Sequence, residues 1–115
     1  MNGTQFIDYM IPIISQMSIG PVIIAISIIF IKFSPKKINN IYGYRTKNSM
    51  KTQEAWDYAN NTFAKNFLYI GIITTTAQII ATMLFDHIIG IFVGLTTMSV
   101  LISVLVTIIE KNLRK

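Results

Sequence analysis

The chain has no cysteine, which excludes a disulfide framework, a thiol nucleophile and a thiolate metal site. One histidine and five carboxylates, scattered from Asp8 to Glu110, provide no metal-ligand spacing. There is no glycine-rich phosphate loop and no nucleophile–base pair. Charge itself is scarce, at 13% of residues against about a quarter in soluble proteins. It is absent altogether from residues 9–31, 66–85 and 88–109, windows of 23, 20 and 22 residues. A helix needs about 20 apolar residues to cross the hydrocarbon core. These absences predict an all-α integral membrane protein: one membrane domain, 1–115, with three transmembrane helices over those windows.

What charge there is falls on one side. Lys32, Lys36, Lys37, Arg45, Lys47, Lys51 and Lys65 lie between the first two windows, and Lys111, Arg114 and Lys115 follow the third. Asp8 and Asp86 mark the opposite ends and have no cation beside them. By the positive-inside rule the N-terminus is outside, and the 32–65 segment and the C-terminus are cytoplasmic. The net charge of +5 is thereby accounted for by topology and by contact with anionic lipid, so membrane lipids, not nucleic acid, are the expected partner. No basic residue precedes the first apolar run and no small-residue cleavage pattern follows it, so the first span is expected to be retained.

In the first span Gly20-Pro21 predicts a kink, because proline removes a hydrogen bond and crowds the carbonyl four residues back. Ser15, Gln16 and Ser18 lie within a turn of it. They line either a small polar cavity or an ordinary packing bend. Asn39 to Asn66 is the one long polar stretch. Its first part is a loop, in which Gly43 supplies a tight turn between Tyr42 and Tyr44. The planar fork of Arg45 suits a phosphate, a carboxylate or several carbonyls, or simply lipid phosphate. Residues 49–65 turn helical, with Trp56, Ala59 and Phe63 on one face and Glu54, Asp57 and Asn61 elsewhere. That pattern predicts a cytoplasmic amphipathic helix in the inner interface, anchored by the chain's single tryptophan. Its boundary with the second span has no breaker.

Gln78, on a stripe with Thr75 and Thr82, is costly in lipid and is expected to face the bundle. Gly90 and Gly94 form a GxxxG that lets a helix approach closely, whether from this chain or a second copy. Thr96, Ser99, Ser103 and Thr107 continue a polar stripe, and Asp86-His87 is a solvated outer turn. No span contains a charged residue, so neither a proton relay nor a gating charge is expected.

Asn39, the run Tyr42-Gly43-Tyr44-Arg45-Thr46, then Ser49, Trp56 and Asn60 together resemble the signature of the SdpI family. These small bacterial membrane proteins are named for an immunity protein that protects cells from a secreted killing peptide, the sporulation-delay toxin. The likeness covers roughly residues 35–66. Some relatives have more spans, and Asn60 and Ala64 stand where a histidine-like residue and a glycine would be unsurprising. The resemblance implies a non-enzymatic self-protection protein of the bacterial plasma membrane, without cofactor or metal. Its implied toxin- or ligand-binding residues are Asn39, Tyr42, Gly43, Tyr44, Arg45, Thr46, Ser49, Trp56 and Asn60. A toxin peptide or a membrane-associated regulator is the implied partner, and a homo-oligomer is compatible with the glycine pair. The alternatives are an oligomeric transporter or flippase-like subunit and a signalling partner that retains a regulator. An enzymatic reading requires Arg45, Glu54 and Asp57 to converge.

Overall fold

The computed structural model describes residues 1–16 and 19–115, without the side chains of Ser15 and Gln16. The polar cavity expected at Ser15, Gln16 and Ser18 therefore lies outside the described residues. Among these, the chain is all helical: α1 (Gly3–Gln16), α2 (Gly20–Lys32), α3 (Gln53–Leu84) and α4 (His87–Leu113).

Where one kinked span was predicted over 9–31, there are two helices. α1 begins before Tyr9, under a reciprocal cap in which Asn2 and Gln5 each accept the other's backbone N–H at 2.8–3.0 Å. α2 starts afresh with Pro21 in its first turn, where the missing N–H costs nothing because that position has no helical acceptor. At 13 residues, α2 is only about 20 Å long and cannot alone cross a hydrocarbon core of about 30 Å. It lies against α3 at close range. A Cβ on Gly20 would come within 2.7 Å of the Thr75 Cα, and one on Gly71 within 2.8 Å of the Ile24 side chain.

The second difference concerns the 49–65 segment, which is not a separate interfacial helix. Thr52 caps α3 by accepting the Ala55 N–H at 3.0 Å. From Gln53 the helix runs on through Lys65 and Asn66 to Leu84, 32 residues in one rod of about 48 Å. The absent breaker at Asn66-Phe67 accounts for this, since nothing there interrupts the i→i−4 ladder. Of the face that periodicity placed, Trp56 and Ala59 are buried and Phe63 half-buried, while Glu54, Asp57 and Asn61 are exposed; Asn60, which periodicity did not put on that face, is buried beside them. It faces protein, not the membrane interface, and Trp56 is 0% exposed.

α3 and α4 are long and apolar enough to cross a membrane. Only 28% and 17% of their most apolar windows are buried in the chain, too little for the core helices of a soluble domain and suited to lipid-facing surfaces. They pack along their length. Gly90 sits against Thr82, and a Cβ on Gly94 would lie 2.8 Å from the Gln78 Oε1. The glycine pair thus accommodates α3 of the same chain. Gln78 and Thr74 are fully buried. The Thr75 and Thr82 hydroxyls donate to the carbonyls of Gly71 (2.7 Å) and Gln78 (2.8 Å), which keeps them satisfied without water. Thr96, Ser99, Ser103 and Thr107 are exposed on the outer face of α4. There Ser103 and Thr107 donate to their own helix at 2.8 Å.

Candidate functional site

The polar stretch folds into a headpiece clamped between the start of α3 and the end of α4. α2 stops at Lys32, where the Phe33 N–H closes the last turn on the Ile29 carbonyl at 2.8 Å, and Pro35 cannot extend it. Pro35 is buried, and its carbonyl accepts the Trp56 indole N–H at 2.7 Å. Asn39 makes an Asx turn, accepting the N–H groups of Ile41 (2.9 Å) and Tyr42 (3.0 Å) and donating to the Lys37 carbonyl (2.9 Å).

Gly43 takes φ +113°, a conformation closed to L side chains. A Cβ there would also lie 2.8 Å from both the Asn60 Oδ1 and the Pro35 Cγ. This close approach lets the buried Asn60 amide read the Tyr44 backbone. Asn60 accepts the Tyr44 N–H at 2.7 Å and donates to the carbonyls of Tyr44 (3.3 Å) and Trp56 (3.0 Å). Beyond it, Thr46 and Ser49 cap each other. The Ser49 Oγ accepts the Thr46 N–H at 2.8 Å, and the Thr46 Oγ1 accepts the Ser49 N–H at 3.1 Å. The Ser49 hydroxyl points between the carbonyls of Tyr44 and Thr46.

The turn is pinned across the molecule to Glu110, the first residue past the charge-free stretch of α4. Tyr44 and Thr46 each donate a hydroxyl to its Oε1 at 2.7 Å, and Asn48 donates its amide to Oε2 at 2.8 Å. Burial alone would raise the Glu110 pKa. The bonds from Asn48, Thr46 and Tyr44, with the Arg114 charge, outweigh it and hold the carboxyl below its ordinary range. Burial first, then the bond to Glu110 and its charge, push the Tyr44 phenol far above its ordinary value, so it remains a neutral donor. Beneath this contact Tyr44, Ala59, Ile70, Leu105 and Ile109 form the buried apolar cluster.

The structure thus separates the signature residues into two groups. Gly43, Tyr44, Thr46, Ser49, Trp56 and Asn60 point inward and build the headpiece, with Asn39 holding the loop's entry. Tyr42 and Arg45 point outward. The Tyr42 hydroxyl donates to the Phe33 carbonyl at 3.1 Å, its ring meets Phe30 edge-on at 6.3 Å, and it stays 47% exposed. Arg45 folds back onto the Asn40 carbonyl. Among the described residues no hydrogen bond or ion pair joins Arg45 to Glu54 or Asp57. Asp57 instead accepts from Gln53 at 2.8 Å. Arg45, Glu54 and Asp57 thus do not converge.

Sequence reasoning missed Glu110, Asn48 and Pro35. The tail from Glu110 reads in sequence as a basic stop. Its one signal was a lone carboxylate at the end of 22 uncharged residues, opposite a loop with hydroxyl and amide donors and no acid.

The sequence pattern of the SdpI/YfhL protein family matches residues 36–110, a span that begins in the headpiece loop and closes on Glu110. The uncharacterized protein YfhL of Bacillus subtilis (strain 168) is 39% identical over 54 residues, 47% of this chain and 49% of the relative. The matched region therefore spans about half the length of that curated relative. No solved structure matches. With most of its length under that pattern and the signature residues assembled around one turn, the chain belongs to the SdpI/YfhL protein family.

Proposed function

We propose that this protein is a multi-pass protein of the bacterial plasma membrane that protects its own cell from a secreted membrane-active peptide, without enzymatic chemistry. The observation that carries the reading is the division of labour in the headpiece. Seven signature residues, from Asn39 to Asn60, build a rigid mount, and Tyr42 and Arg45 stand exposed on it. A mount of this kind preorganises a recognition surface. Arg45 offers a cation with free donors to a peptide's carboxylate or carbonyls, and Tyr42 adds an aromatic edge.

In this reading α3 and α4 cross the bilayer, and α1 and α2 share a third, broken crossing. The distribution of Lys and Arg supports an outside N-terminus and a cytoplasmic headpiece and C-terminus. The test is survival of a sensitive bacterium expressing the full chain, challenged with secreted membrane-active peptides. Arg45→Ala and Tyr42→Ala should lose protection at unchanged membrane abundance. Trp56→Ala should lose it together with abundance, because it empties the buried mount. Protection from no peptide, or full protection by both surface variants, would overturn the proposal and move the weight to transport or regulator retention.

A further inference from the structure

The outer surface of the headpiece combines two features that the mount does not explain. Residues 32–51 carry six cations and no acid. Glu110, the acid that reaches this loop, has both oxygens engaged by Tyr44, Thr46 and Asn48. Among the described residues none of Lys36, Lys37, Arg45, Lys47 and Lys51 is in an ion pair. Between these cations the fold holds apolar side chains out: Ile41 is 84% exposed and Phe33 63%. The exposure of Ile41 is imposed, because the Asn39 Asx turn fixes its backbone and Arg45 is tied to the neighbouring Asn40 carbonyl.

The height of this surface along the molecule is also set. Tyr42 packs on Phe30 and bonds to the Phe33 carbonyl at the end of α2. Phe30 meets Phe63 at 6.3 Å, and Phe63 stacks on Phe67 at 5.0 Å, just where the charge-free part of α3 begins. Of these rings the amphipathic Tyr42 is the kind enriched at the headgroup layer, and the phenylalanines fix its place at the end of the apolar helices. We infer that the Ile41–Arg45 tip and its flanking lysines form a docking surface for anionic lipid headgroups of the bilayer in which the protein sits. The cations take the phosphates, and Ile41 and Tyr42 insert between the headgroups. A free anion would use only the cations. The apolar tip is what commits the surface to lipid. This assignment does not depend on the protective role, since it is read on purified protein without any toxin.

Native mass spectrometry of the detergent-solubilised full chain tests it, with phosphatidylglycerol and phosphatidylcholine of the same acyl chains titrated separately. Phosphatidylglycerol should bind more tightly, with an affinity that falls as salt rises. Each cation contributes about fivefold near an anionic surface. The Lys36→Gln/Lys37→Gln/Arg45→Gln variant should therefore lose on the order of a hundredfold for phosphatidylglycerol and little for phosphatidylcholine. The Lys37→Gln variant, which keeps the backbone carbonyl that Asn39 bonds, should lose about fivefold alone. Ile41→Ser should weaken both lipids, and inorganic phosphate, added at constant ionic strength, should fail to displace phosphatidylglycerol. Equal binding of the two lipids, undiminished binding by the Lys37→Gln and triple variants, or displacement by inorganic phosphate would each overturn the assignment.

Discussion

Removing the Glu110 carboxylate should open the headpiece, and the structure sets the scale. Of its three donors only the Tyr44 hydroxyl belongs to a buried residue, so Glu110→Ala leaves that group without an acceptor. Losing a hydrogen bond to a charged group costs about 1.5–3 kcal/mol. The half-buried Thr46 and Asn48 can rehydrate and add about half a kcal/mol each, for about 2.5–4 kcal/mol in all. Glu110→Gln keeps an acceptor for Tyr44 and Thr46 but sets an amide NH2 against the Asn48 amide, and should lose about 1–2 kcal/mol. The chain reports on itself, because its one tryptophan, Trp56, is fully buried in the headpiece. Its emission will shift to the red when the loop leaves α3, and a detergent-denaturation curve followed at that wavelength gives the free energy. The folded-state Glu110 carboxyl titrates below its unfolded value, so its contribution is complete above about pH 4.3. It disappears as pH falls through the folded value. Glu110→Gln should flatten that acid limb. A Glu110→Ala protein within about 0.5 kcal/mol of wild type, or an unchanged acid limb in Glu110→Gln, would refute the reasoning.

Five further substitutions probe the mount and the bundle. Gly43→Ala combines a forbidden φ of +113° with a Cβ 2.8 Å from the Asn60 Oδ1, and should destabilise by about 1–3 kcal/mol in the same Trp56 assay. Asn60→Ala leaves the Tyr44 N–H without its partner in a buried position and should cost about 1–3 kcal/mol. Asn60→Asp retains the acceptor for that N–H but turns a carboxylate oxygen onto the buried carbonyls of Tyr44 and Trp56, and should cost at least as much as Asn60→Ala. Gly20→Ala drives a Cβ to 2.7 Å from the Thr75 backbone, whereas the Cβ of Gly94→Ala meets only the Gln78 side chain. Thermal unfolding in detergent should therefore show a substantially larger loss for Gly20→Ala, because backbone cannot move aside as a side chain can.

Charge spacing and periodicity, which act along a single chain, settled much of this protein before any tertiary contact is considered. The uncharged runs 66–85 and 88–109 mark the apolar parts of α3 and α4 because a buried or lipid-facing helix tolerates no unpaired charge. The inward face of Trp56, Ala59 and the half-buried Phe63 follows from 3.6-residue spacing alone. The family signature was legible in Asn39, the Tyr42–Thr46 run, Ser49, Trp56 and Asn60 for the same reason: those residues are close in sequence. What that face packs against was a tertiary decision. The aromatic face of residues 53–65 suits a membrane interface equally well, until Pro35 and Gly43, distant in sequence, arrive to cover Trp56. Glu110 acquires its role only when α4 returns beside the loop and brings it to Thr46 across 64 positions. Hydrogen bonds of that separation leave no periodic trace in a sequence, because their geometry is set by how α3 and α4 pack.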